Sequence, residues 1–67
     1  MTRAQALLRD VNIFLNLTGM KPTNLGKAAL NDPALYFKLK RGRRLYEETE
    51  ERLRRYMEVY SAVRSQQ

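Results

Sequence analysis

The sequence predicts an all-α domain built from four helices. Three observations carry that expectation: apolar residues recur at helical spacing, start and stop signals punctuate them, and nowhere do apolar and polar residues alternate as along a strand. Sixty-seven residues make one domain, 1–67. A chain this short buries only about 60% of its unfolded surface, so its core is small. The whole chain reads as folded apart from Ser61–Gln67.

Thr2-Arg3-Ala4-Gln5 has the spacing of a capping box, with Thr2 as N-cap and Gln5 three residues on. Leu7, Leu8, Val11, Phe14 and Leu15 follow at helical spacing. Gly19 offers a left-handed stop, and Pro22 does not continue the helix. The first helix therefore spans about residues 3–17.

Thr23 is the expected cap of a short second helix, about residues 23–29, with Leu25 and Ala28 or Ala29 facing inward. Gly26 is unusual there, because glycine costs about 1 kcal/mol relative to alanine inside a helix. Its presence implies a neighbouring helix approaching too closely to admit a side chain.

The clearest start signal follows. Asp32 fits an N-cap and Pro33 the first helical position, where its missing N–H is not needed. A third helix of about residues 33–41 then ends at Gly42. Turning about 100° per residue sets Leu35, Tyr36 and Leu39 on one apolar face. Ala34, Phe37, Lys38 and Arg41 lie opposite, with Lys40 at the edge.

A fourth, longer helix covers about residues 46–63. Glu47, Glu48, Glu50 and Glu51 crowd its first turns, where the helix dipole favours negative charge. Glu48–Arg52, Glu50–Arg54 and Glu51–Arg55 have the favourable acid-before-base order. Tyr46, Thr49, Leu53, Tyr56, Met57, Tyr60 and Val63 form its inward stripe.

The net charge of +6 is unevenly placed. Residues 1–44 carry nine Lys or Arg against two acids, a balance of +7; residues 45–67 carry four Arg against five Glu, a balance of −1. Seven of the cations fall between Lys21 and Arg44, where Asp32 is the only acid. A compact helix pair with that charge points to a nucleic-acid backbone as partner. The lack of cysteine and histidine excludes disulfides and the usual zinc sites, and fits a reducing cytoplasm. No apolar run approaches the roughly 18 residues that span a bilayer, and the N-terminus is a poor signal peptide, so a cytoplasmic protein is expected. An enzyme is not expected. There is no histidine or cysteine to act as nucleophile or proton shuttle, no phosphate-binding glycine loop, and no evident small-molecule substrate, cofactor or metal site.

The stretch Leu25-Gly26-Lys27-Ala28-Ala29-Leu30, then Asp32-Pro33, Leu35-Tyr36 and Leu39-Lys40-Arg41-Gly42-Arg43, resembles the helix-turn-helix of the lambda-repressor/Cro-like (XRE) superfamily. It is similar above all to a subset of small bacterial and phage regulators. The resemblance covers residues 20 to about 53. It departs at the turn, where Leu30 or Asn31 stands for the usual glycine. It departs again before the fourth helix, where Leu45-Tyr46 replaces Pro-Thr or Pro-Ser. The long fourth helix also replaces the two short helices that often follow the motif.

The resemblance implies a sequence-specific double-stranded DNA-binding protein, a transcriptional regulator of repressor type. Its third helix would act as the recognition helix in the major groove. Lys38 and Arg41 would then donate to guanine, while Ala34 and Phe37 meet thymine methyls. Burial of Phe37 against the first helix or in a dimer seam is the competing reading. Asp32, if not wholly used as a cap, could accept from cytosine N4. Lys21, Thr23, Asn24, Lys27, Lys40, Arg43 and Arg44 would hold phosphates. The fourth helix is about 27 Å long if 18 residues each rise 1.5 Å, and its far half outruns the other three. Tyr56, Tyr60 and Val63 are thus candidate contacts of a homodimer, although tyrosines at that spacing also suit a core. The rival functions are a protein-interaction module for an acidic partner, and an architectural DNA-binding or RNA-binding protein.

Overall fold

The first helix begins where its capping box places it. In the computed structural model, which describes residues 2–65, the Gln5 N–H donates to Thr2 Oγ1 at 3.1 Å, and the Thr2 N–H donates to Gln5 Oε1 at 2.9 Å. Four helices make up the fold: α1 Arg3–Thr18, α2 Pro22–Leu30, α3 Leu35–Lys40 and α4 Glu47–Ser65. No strand occurs among the described residues. Gly19, with φ 72°, closes α1 and donates its N–H to the Leu15 carbonyl.

Pro22 does more than stop α1. It occupies the first position of α2, where its fixed φ suits helix entry, so α2 begins before the expected start. Thr23 is consequently inside the helix and caps nothing; Lys21 is the N-cap residue and makes no side-chain capping bond.

The link to α3 explains Gly26. Asn31 takes a left-handed conformation (φ 53°), and the Asp32 N–H donates back to the Gly26 carbonyl at 3.0 Å. This folds the turn directly onto Gly26. A β-carbon there would collide with the Asp32 carbonyl oxygen and crowd the Leu35 β-carbon.

α3 is shorter than expected: its N-cap is Ala34, which makes no side-chain capping bond, and Asp32 instead caps the turn before it. Asp32 Oδ1 accepts from the Ala34 N–H at 3.1 Å, and the Asp32 carbonyl accepts from the Leu35 N–H at 3.1 Å. Pro33 and Ala34 are therefore held in a tighter turn, and the α-helix proper starts at Leu35. At the far end the Gly42 N–H reaches the Leu39 carbonyl and the Arg43 N–H reaches that of Lys38, with Gly42 at φ 85°. This paired closure places a residue in the left-handed region, where glycine carries no β-carbon penalty.

Tyr46 stands just ahead of α4, its carbonyl accepting from the Glu50 N–H at 2.9 Å. Its side chain is 86% exposed and not part of the inward stripe, because the residue precedes the helix. Val63 is exposed as well. The helix continues through Ser61 to Ser65, so that stretch is not the unfolded tail expected; Gln66 and Gln67 lie outside the described residues.

Leu7, Val11 and Phe14 from α1, Leu25 from α2, Leu35 and Leu39 from α3, and Leu53 and Met57 from α4 form the core. Burying each large side chain contributes about 1.5–3 kcal/mol. Polar contacts set the register between helices. Tyr36 donates its hydroxyl to Asn12 Oδ1 at 2.7 Å, tying α3 to α1. Arg3 meets Glu50, Arg54 meets both Glu50 and Asp10, and the Phe14 and Tyr60 rings meet edge to face at 5.5 Å. These contacts climb α1 and α4 in the same direction.

Candidate nucleic-acid interface

Leu35 and Leu39 anchor α3 in the core and decide what its other side presents. That side carries Ala34, Phe37 and Arg41, all exposed, Phe37 by 53%. Phe37 is therefore not buried against α1. Its ring meets the Tyr36 ring edge to face, with centroids 6.0 Å apart.

Lys38 is placed differently from its neighbours. It is half-buried, and its Nζ donates to Asp32 Oδ2 at 2.7 Å. The carboxylate accepts at both oxygens, from Lys38 and from the Ala34 N–H. The Lys38 hydrogen bond holds the Asp32 carboxyl below its ordinary pKa, against the opposing effect of partial burial. Asp32 is thus committed twice within the chain. Lys40 Nζ lies 5.7 Å from the Tyr36 ring centre, a cation–π contact.

Gly42 turns the chain so that Arg43 and Arg44 line a cleft of roughly 310 Å³ between α3 and the start of α4. Lys38, Asp32, Tyr46 and Arg52 also face it. Arg52 was not distinguishable as a site residue in the sequence, where it reads as the partner of Glu48. Glu48–Arg52 and Glu51–Arg55 do not close as ion pairs among the described residues, whereas Glu50–Arg54 does, at 3.1 Å.

Lys21, Thr23, Asn24 and Lys27 are exposed on α2 and lie outside that cleft. Among the described residues Lys21, Lys27, Arg41, Arg43 and Arg44 form no ion pair. They contrast with Arg54, whose guanidinium is held charged chiefly by its hydrogen bond to Asp10. Arg3 and Arg54 thus cross-link α1 and α4, Lys38 and Arg9 have local partners, and those five form no ion pair among the described residues.

The three candidate dimer residues separate. Tyr56 and Tyr60 stack at 6.1 Å and pack against the core, Tyr60 through Phe14. Val63 remains exposed, as do Val59 one turn before it and Ile13 and Leu17 on α1. No helix among the described residues is long and apolar enough to cross a membrane, and no cluster of metal-ligating side chains occurs among them.

Comparison of the chain with protein-family models, with curated proteins and with solved structures finds no match.

Proposed function

We propose that this chain binds double-stranded DNA in a sequence-specific manner, as a small regulator of transcription of bacterial or phage type. In this reading α2 and α3 form a helix-turn-helix, with α3 lying in the major groove and α2 crossing the backbone. The observation that carries it is the pairing of Phe37 and Arg41. They stand one helical turn apart, both exposed, Phe37 on α3 and Arg41 as its C-cap residue, while the opposite face of α3 is buried and Arg41 has no ion-pair partner among the described residues. An apolar ring beside an available guanidinium suits a thymine methyl beside guanine O6 and N7. The cations at Lys21, Lys27, Arg43 and Arg44 supply backbone contacts, and Lys40 adds another at the edge of α3. Thr23 and Asn24 open α2 with main-chain N–H groups that the N-cap side chain does not cap, a donor pair suited to a phosphate.

Binding as a homodimer fits a module this small. Val59 and Val63, exposed one turn apart on α4, are the better candidates for that seam. Tyr60 is already engaged with Phe14. Sedimentation of Val63→Glu beside the parent tests it, since the substitution leaves the core untouched; two identical monomers end the dimer reading.

Selection of bound duplexes from a random pool tests the function itself. A consensus should emerge, and Arg41→Ala should weaken the selected duplex about tenfold or more while affecting a scrambled one far less. No retained duplex at about 50 mM salt, where phosphate contacts are strongest, removes the reading in favour of a protein-interaction module. Equal loss on both duplexes favours the architectural alternative.

A further inference from the structure

The Asp32–Lys38 ion pair has a geometry that goes beyond capping a turn. Asp32 sits before α3 and Lys38 in its last turn, and the side chains meet with Nζ and Oδ2 2.7 Å apart. The other oxygen, Oδ1, is pinned by the Ala34 N–H, which fixes the carboxylate at the entry of α3. Both side chains remain about one-third exposed, so the ammonium and the carboxylate retain hydrogen-bonding capacity toward solvent. A donor and an acceptor are thus presented side by side, one hydrogen-bond length apart.

The major-groove edge of a G·C pair presents the converse pattern. Guanine O6 accepts and the cytosine N4 amino group donates, and because these two atoms bond to each other within the base pair they too lie one hydrogen-bond length apart. Read in the same direction, a T·A pair repeats that order, with thymine O4 accepting and adenine N6 donating, whereas C·G and A·T pairs reverse it. We propose that Asp32 and Lys38 act together as a single reader of the orientation of one base pair, Nζ donating to guanine O6 or thymine O4 while Oδ2 accepts from the free amino hydrogen of the paired cytosine N4 or adenine N6. The pair stays intact on binding. It discriminates because a C·G or an A·T pair sets ammonium against amino group and carboxylate against carbonyl oxygen. This inference rests on the DNA-binding reading above and names the base-pair orientation that one part of the surface selects.

The test uses the full chain and the duplex recovered by selection, with each position of that duplex replaced in turn by all four base pairs. The parent, Asp32→Asn, Lys38→Met and the double variant are compared. The asparagine side chain of the first variant keeps an amide oxygen for the Ala34 N–H, and thermal unfolding by circular dichroism verifies that all four fold. One position in each half-site should prefer G·C and T·A over C·G and A·T by about tenfold or more. Each single variant should flatten that position and leave the others unchanged, and the double variant should flatten it no further. Asp32→Asn strengthening every duplex with that orientation preference intact overturns the inference, showing Asp32 merely to hold Lys38 back. Additive loss in the double variant also overturns it, since the two residues then read separately. A parent that binds no duplex ends the DNA reading and this inference together, whereas a parent with no orientation-selective position sensitive to Asp32→Asn ends this inference alone.

Discussion

The guanidinium of Arg54 bridges α4 to α1 by donating from Nη1 to Asp10 Oδ2 at 2.8 Å while its Nε donates to Glu50 at 3.1 Å. Glu50 is only 8% exposed and also meets Arg3 at 3.2 Å, so an acid on a helix crowded with acids is drawn inward by two cations. Removing Arg54 leaves Glu50 under-compensated in a nearly dry position. Arg54→Met should therefore lower stability by about 1–3 kcal/mol in urea unfolding, because a buried charge loses its main partner. Arg55→Met, one residue away but exposed and with no ion pair among the described residues, should stay within about 0.5 kcal/mol of the parent. Equal effects for the two would show the network to be incidental.

Gly26→Ala sets two effects against each other. Helix propensity alone favours alanine by about 1 kcal/mol. The added β-carbon, however, meets the Asp32 carbonyl oxygen, which is backbone and fixed by the turn. Overpacking against backbone costs about 1–3 kcal/mol, so a net loss of stability is expected despite the better helix former. A raised urea midpoint for Gly26→Ala would mean that the turn can move away without penalty.

Much of this fold was legible in the sequence because local signals and the tertiary contacts agree. The capping box at Thr2, the stops at Gly19 and Gly42, the inward Leu35 and Leu39 and the crowded Gly26 all follow from spacing and backbone chemistry. The errors have a common cause. Pro22, Pro33 and Tyr46 stand at helix entries, where one residue's shift turns a side chain from inward to outward; Tyr46 became exposed and Thr23 lost its role that way. The candidate site was less legible. A 100° rotation put Lys38 on an open face with Arg41, but a long flexible side chain can fold back six residues to Asp32, and no periodicity records that. Glu50 and Arg52 were hidden likewise, since three equivalent acid–base pairs in sequence do not say which one closes.

Acid should release Lys38. The carboxyl of Asp32 lies below its ordinary value in the folded chain, mainly through the Lys38 hydrogen bond. A depressed carboxyl contributes stability that is complete above its unfolded value of about 3.9 and is lost as pH falls through the lower folded value. The stability difference between parent and Asp32→Asn should thus be constant near neutrality and shrink below about pH 4. Unfolding measured at a series of pH values for both proteins reads this directly. A difference that stays level down to about pH 2 would show that the pair contributes nothing through its charge.

Under the proposed DNA binding, salt dependence would separate cations that hold the backbone from those that read bases. If Lys21, Lys27, Lys40, Arg43 and Arg44 each neutralise a phosphate, the slope of log affinity against log salt should be about −4 to −5. Replacing Lys27 or Arg43 by glutamine should reduce its magnitude by about 0.9, and by the same amount on selected and scrambled duplexes, because counterion release does not depend on sequence. Both substitutions are at exposed residues without ion pairs among the described residues, so the fold should be untouched. The two positions also differ usefully in place, Lys27 on α2 and Arg43 in the cleft beside α4. A reduced slope for both means that the duplex backbone contacts both sides of α3 at once, as a helix seated in the major groove requires. A reduced slope for Arg43 alone would move the contact to the α3–α4 cleft and take α2 out of the interface.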